Sequence, residues 1–198
     1  MEELLSTYLE DLYRRGSAHD AEKTDRLERL RNVEPDTARL LAVLVRAVGA
    51  RRLLELGTSN GYSTLWLADA ARSIGGEVLS VDIDPTRTTQ AREHLARVHL
   101  EEYVELRTED AALTLSGSAD ASWEMIFLDA ERPAYTGYWP DLIRVLAPGG
   151  LLVVDNVLSH SGEVRELREL VSNHPGVTEA VVPTGAGALL VVNDPDPA

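Results

Sequence analysis

Two acids and an amide stand where apolar runs end, in Phe127-Leu128-Asp129 and in Val153-Val154-Asp155-Asn156. Each run reads as a buried parallel strand, so Asp129, Asp155 and Asn156 should emerge together at the carboxyl edge of one sheet, where open α/β folds bind ligands. Three hard oxygens there suit Mg²⁺ or another divalent cation, which takes few protein ligands and keeps positions open for water and substrate. A cation so held acts as Lewis acid and template, lowering the pKa of a hydroxyl and aiming its oxygen.

Upstream lies a glycine loop, Leu53-Leu54-Glu55-Leu56-Gly57-Thr58-Ser59-Asn60-Gly61-Tyr62-Ser63. It lacks the middle glycine of a dinucleotide fingerprint, since Ser59 stands in that place, and no Lys follows Gly61 as a phosphate loop requires. What remains is a tight strand-to-helix turn that presents the amides of Tyr62 and Ser63 at a positive helix end. That end suits a carboxylate, such as the methionyl end of S-adenosylmethionine. Asp82 ends the next strand, the usual place for an acid that binds ribose hydroxyls. Asp84, before Pro85, is better read as a helix cap.

The elements that must position these groups alternate between helical and strand periods, which predicts a doubly wound α/β fold. Strands are expected to Leu56, over 78–81, around Val104 and Leu106, over 125–128, and over 151–154 after a turn at Ala147-Pro148-Gly149-Gly150. Helices are expected from Pro35 to Val48, from Tyr62, from Pro85 to about Val98, and over 164–171. The tail reads as strands 177–182 and 188–192 joined at Pro183-Thr184-Gly185-Ala186-Gly187, an antiparallel hairpin, with 193–198 as a frayed end. Residues 1–34 form a helical extension, with Leu4, Leu5, Tyr8, Leu9 and Leu12 on one face and a break expected at Gly16–Asp20. It would cover the site or make a dimer contact, ahead of a catalytic domain over 35–198.

These motifs resemble the class I S-adenosylmethionine-dependent O-methyltransferases, and within them the cation-dependent catechol and caffeoyl-CoA O-methyltransferases. The family pattern Glu-Leu/Ile-Gly-x-x-x-Gly-Tyr-Ser is matched by Glu55, Gly57, Gly61, Tyr62 and Ser63. The resemblance implies a Rossmann-like, mostly parallel sheet ending in an antiparallel hairpin, and S-adenosylmethionine with Mg²⁺ as cofactors. It also implies a small phenolic, catechol-like acceptor and a possible homodimer. It places Val33, Glu55, Gly57, Gly61, Tyr62, Ser63, Asp82, Asp110, Ala111 and Asp129 at the cofactor, and Asp129, Asp155 and Asn156 at the cation. Asp110 is open to a second role as an N-cap, and Glu131 to flanking the adenine.

One departure concerns the base. Better-known members carry Lys three residues after the first metal Asp, whereas this chain has Arg132, and a guanidinium cannot accept a proton. Arg132 can still stabilise a phenolate, and His160, on the loop after Asp155-Asn156, is the alternative base. The replacement also leaves open a metal-independent transfer to another nucleophile, or a module that binds the cofactor without catalysis.

Composition excludes several other classes. The 198 residues, 44% hydrophobic, suit one substantial core, and a net charge of -14 opposes binding to nucleic acid. With no cysteine, thiolate metal sites and cysteine catalysis are impossible. No leader pattern or membrane-length apolar run is visible, so a cytoplasmic location away from membranes is expected.

Overall fold

The computed structural model describes residues 3–195. In chain order the elements are α1 (Glu3–Ala21), α2 (Pro35–Val48), β1 (Arg52–Leu56), α3 (Tyr62–Ile74), β2 (Glu77–Asp82), α4 (Pro85–Arg97), β3 (Val104–Thr108), α5 (Ala111–Gly117), β4 (Trp123–Leu128), α6 (Tyr135–Val145), β5 (Leu146–Val154), α7 (Arg165–Ser172), β6 (Val177–Val182) and β7 (Ala188–Asn193). The strands form one sheet in the order β3-β2-β1-β4-β5-β7-β6. Its first five strands are parallel, and β7 runs antiparallel to both neighbours.

Residue alternation along the strands divides the core in two. Leu53, Val78, Met125, Phe127 and Val153 face the layer of α1 to α4, while Leu54, Val81, Ile126, Leu128 and Val154 face α5 to α7. Leu5, Leu9 and Leu12 of α1 are buried in the first of these layers, so the amino-terminal helix packs on the same core as α2 and α3. Among the described residues no helix is long and apolar enough to cross a membrane.

Several expected boundaries shift. Helix α1 runs unbroken through Gly16, because that glycine is a packing residue: a Cβ there would lie 2.4 Å from Nδ2 of Asn32. A glycine inside a helix costs about 1 kcal/mol relative to Ala, which the close seating of the 30–32 segment offsets. Strand β5 starts at Leu146, so the expected turn is a kink within the strand, and the pairing register shifts between Trp123 and Met125. Pro148 has no N–H to donate there, which fits an irregular pairing. Asn193, expected to fray, closes β7 and donates from its side chain to the Leu146 carbonyl at 2.8 Å. Residues 196–198 of that tail lie outside the described residues.

Candidate active site

Strand register brings the chemistry together. Leu56 is opposite Leu128, and Leu128 opposite Val154, so β1, β4 and β5 end level at the sheet's carboxyl edge. The ladder continues one residue further: Asp129 donates its N–H to the Leu56 carbonyl at 2.9 Å, and Asp155 to the Leu128 carbonyl at 3.2 Å. The two acids therefore sit side by side, Asp129 bordering the β1–β4 point where strand order reverses, the usual ligand crevice of this architecture, and Asp155 one strand further on. Gly57 makes the crevice possible. It has φ +106°, and a Cβ there would lie 2.3 Å from the Asp129 carbonyl oxygen.

A cavity of about 650 Å³ opens over this edge. Val33, Gly57, Tyr62, Ser63, Asp82, Asp110, Ala111, Asp129, Arg132, Asp155, Asn156 and His160 all line it. Glu55 and Gly61 do not. Glu55 is fully buried beneath the loop and accepts hydrogen bonds from Ser63 (2.5 Å), Thr64 (2.5 Å) and Ser80 (2.6 Å). Burial pushes its carboxyl up to about 7, against the pull of those three hydroxyls. It anchors the first turn of α3 from below. Gly61, with φ +86°, faces α4, where a Cβ would lie 2.8 Å from that of Ala91.

The half of the cavity under β1 and β2 has the donors and acceptors that S-adenosylmethionine needs. Helix α3 has neither a side-chain cap nor an acidic residue in its first turn, so its positive end is left for a ligand carboxylate. The Asp82 carboxylate is fixed by the N–H groups of Ser59 (2.8 Å) and Asp84 (3.0 Å), each on a different oxygen. Each oxygen keeps a lone pair for a diol. Asp110 does cap α5, accepting from the Ala112 N–H at 2.8 Å, while also facing the cavity.

The other half is an unbalanced acid pair. Asp155 is 3% exposed, and its Oδ1 is buried without a hydrogen-bond partner. Burial and the neighbouring Asp155 charge push the Asp129 carboxyl well above its ordinary value; burial also pushes Asp155 up to about 6. Asn156, held at φ +67°, places its amide nitrogen 3.1 Å from Asp129 Oδ1 and 3.0 Å from Asp155 Oδ2. A donor thus sits between two carboxylates where a cation would be stronger. Half a turn of that amide presents oxygen instead, giving a donor set of oxygens alone, which fits a hard divalent ion. No third acid or His joins them into a larger cluster among the described residues.

Arg132 is 5% exposed, and its Nε donates to Glu163 at 2.9 Å. Arg132 is therefore a buried cation and not an exposed surface arginine. His160 shares a 2.8 Å contact between Nδ1 and the Ser159 hydroxyl. Tyr138 lines the cavity, whereas Tyr135 and Trp139 belong to the core under α6.

The segment 26–34 supplies a wall of the cavity; Val33 within it was expected there, whereas the contacts that hold the segment were not. Asp20 accepts from the N–H groups of Leu30 (2.7 Å) and Arg31 (2.8 Å), tying this segment to α1. Ser59 donates to the Leu30 carbonyl at 2.7 Å. Arg26 (2.8 Å) and Arg31 (2.7 Å) both bind Glu131, drawing the segment over the cavity. The sequence signal for those contacts was the segment's density of arginines, which equally fits a solvated helix.

Sheet order, the carboxyl-edge cavity and the uncapped α3 define a Rossmann-like methyltransferase. Residues 4–186 match the O-methyltransferase family. A catechol O-methyltransferase of Mycobacterium tuberculosis is 30% identical over 179 residues, covering 85% of this chain and 79% of that protein. One of Niastella koreensis is 35% identical over 130 residues, covering 64% of this chain and 58% of that protein. The crystal structure of a Bacillus cereus O-methyltransferase in complex with S-adenosylhomocysteine superposes with a TM-score of 0.78 at 26% identity, covering 95% of this chain and 91% of that one. The chain belongs to the O-methyltransferase family, and is an S-adenosylmethionine-dependent enzyme of it.

Proposed function

We propose that this enzyme is divalent-cation-dependent and methylates a hydroxyl of a small phenolic, catechol-like acceptor. The observation that carries this reading is the Asp129–Asp155 pair at the cavity, Asp129 half-buried and Asp155 buried with an orphan oxygen, with an amide between the two acids. When bound, S-adenosylmethionine supplies an electrophilic methyl on sulfur, and the cation supplies Lewis acidity at the acceptor oxygens.

The chain's own residues divide the remaining work. The amino end of α3 and Asp82 would hold the cofactor's carboxylate and ribose. Asp129, Asp155 and Asn156 would hold the cation, which would supply Lewis acidity to the acceptor's vicinal oxygens. Arg132, fixed by Glu163, places positive charge near the oxygen that becomes negative, without taking its proton. His160 Nε2 has no hydrogen bond among the described residues, and accepts the hydroxyl proton directly or through water. In the transfer the O–H bond breaks toward that base, an O–CH₃ bond forms, and the S–CH₃ bond breaks with its electron pair going to sulfur.

The test is methyl transfer to a simple catechol with Mg²⁺ and with excess chelator. Activity should require the ion and should be far weaker on a phenol with one hydroxyl. Undiminished turnover in chelator would overturn cation dependence.

A further inference from the structure

The sheet fixes two residues of the acid-pair site, and the third depends on a loop. Asp129 and Asp155 extend the strand ladder through their own N–H groups. Asn156 is the first residue beyond it and opens a stretch of turns, 156–164, which also carries His160 and the Glu163 partner of Arg132. Asn156 has φ +67°, which asparagine tolerates but does not enforce, so its position must be set from outside the loop. The turn between β6 and β7 meets it there. That turn is closed on itself by the N–H groups of Thr184, on the Val182 carbonyl at 2.9 Å, and Gly187, on the Thr184 carbonyl at 2.8 Å. One side of it is wedged on α2: a Cβ at Gly185 would lie 2.7 Å from both Glu34 Cβ and Thr37 Oγ1. The other side grips the loop, since the Gly187 carbonyl accepts from Val157 and the Ala186 carbonyl from Leu158 and Ser159, each at 3.0 Å. Leu158 also lies directly on Gly187. With φ +91° at Gly187, a Cβ there would come 2.4 Å from Cγ and 2.7 Å from Cβ of Leu158.

We propose that Gly187 is a positioning residue for cation binding: the bare backbone there sets where Leu158 stands, and through it the amide of Asn156 against Asp129 and Asp155. This rests on the cation-dependent reading above. A methyl group at position 187 meets Leu158 at two atoms. Rotating the leucine relieves the contact with Cγ but not the one with Cβ, because a Cβ moves only with its own backbone. The loop must then lift off the turn, two residues from Asn156. Asp129 and Asp155 stay on their ladder, and Asp82 and the amino end of α3 are untouched. The loss is therefore selective, falling on the cation and not on the cofactor.

The experiment measures Mn²⁺ and S-adenosylhomocysteine binding by calorimetry for the full chain and for Gly187→Ala, Leu158→Gly and Gly149→Ala. Gly149 is the control for backbone strain, with φ +75° and nothing within 4 Å of where a Cβ would stand. Gly187→Ala should weaken Mn²⁺ binding about tenfold and leave S-adenosylhomocysteine affinity as it is, whereas Gly149→Ala should change neither. Leu158→Gly loosens the same seat from the loop side and should cost Mn²⁺ affinity a few-fold. Combining it with Gly187→Ala removes the clash, so the double variant should bind Mn²⁺ no more weakly than Leu158→Gly alone. Wild-type Mn²⁺ affinity in Gly187→Ala, an equal loss of S-adenosylhomocysteine affinity, or the same Mn²⁺ loss in Gly149→Ala overturns the proposal and leaves cation dependence standing. If the wild type binds no Mn²⁺, the underlying reading falls and this one with it. Should Gly187→Ala not fold, Leu158→Gly decides, and unchanged Mn²⁺ affinity in it overturns the proposal.

Discussion

Glu55 in β1 and Asp155 beyond β5 are buried on the same sheet, with Asp129 beyond β4 half-buried, but only Glu55 is fully partnered. Three hydroxyls serve both of its oxygens, so its hydrogen-bonding capacity is met inside the protein. The pair lacks this: Asp155 Oδ1 has no partner, and each acid is left to the one amide of Asn156. A satisfied buried acid reads as architecture, whereas unsatisfied acids aimed into a cavity read as a site that something else completes. Both sites raise their carboxyls, so the direction of a pKa shift alone would not have told them apart.

The largest expected effect comes from breaking the pair. Asp155→Asn should lower methyl transfer by several kcal/mol of lost charge stabilisation, on the order of a thousandfold. The same substitution should raise thermal stability in chelator by about 1 kcal/mol, since a neutral amide is less costly to bury beside Asp129 than a second carboxylate. Stabilisation by added Mg²⁺ should vanish with it. Activity and melting temperature, measured together, check the assignment. Loss of both would place Asp155 with Glu55 as architecture.

Glu55 should show the converse. Glu55→Ala strands Ser63, Thr64 and Ser80 and opens a cavity, costing about 3 kcal/mol of stability, while Glu55→Gln should cost less. The pH dependence has a definite sign. A folded pKa of about 7, above the ordinary value of 4.5, means that the folded state favours the protonated acid. Its contribution is fully present below about pH 4.5 and is lost as pH rises through 7, by on the order of 3 kcal/mol. Denaturant melts from pH 5 to 8 should therefore show the wild type losing stability relative to Glu55→Gln. The acid pair is common to both proteins and drops out of the difference. Parallel curves would mean that Glu55 stays ionised and is held by its three hydroxyls alone.

The two regions also differed in how legible they were. The pair could be placed from sequence because an acid directly after an apolar parallel strand has only one edge to occupy, and strand register then makes Asp129 and Asp155 neighbours. The strands, the caps at Pro35 and Asp84 and the terminal hairpin followed from similarly local rules. Glu55 was placed at the cofactor because a motif records which residues recur, and not which way they point. In a strand, that direction alternates with every residue, and here Glu55 turns under the loop toward Ser80. The unbroken α1 and the contacts that hold the wall over the cavity were illegible for another reason. Both depend on contacts far apart in sequence, Gly16 with Asn32 across the fold and Arg26 and Arg31 with Glu131 some hundred positions on.

Arg132 gives the smallest expected effect and asks where the acid-pair side finds its base. Its Nε is held by Glu163, and as a guanidinium it cannot take a proton at any working pH. Removing its charge in Arg132→Ala should lower turnover roughly tenfold without weakening cofactor binding, because Asp82 and the end of α3 lie elsewhere in the cavity. Arg132→Lys keeps a cation and adds an amine that can deprotonate, so its activity should match the wild type near neutrality and exceed it a few-fold on the alkaline side. The comparison is a set of pH–rate profiles on one catechol, with His160→Ala alongside. A flattened acidic limb in His160→Ala would identify the imidazole as the group whose protonation shuts off transfer. An unchanged limb would leave proton removal to solvent. If Arg132→Ala follows the wild type at every pH, the guanidinium serves only its bond to Glu163, and the acid side of the cavity works without a cationic side chain.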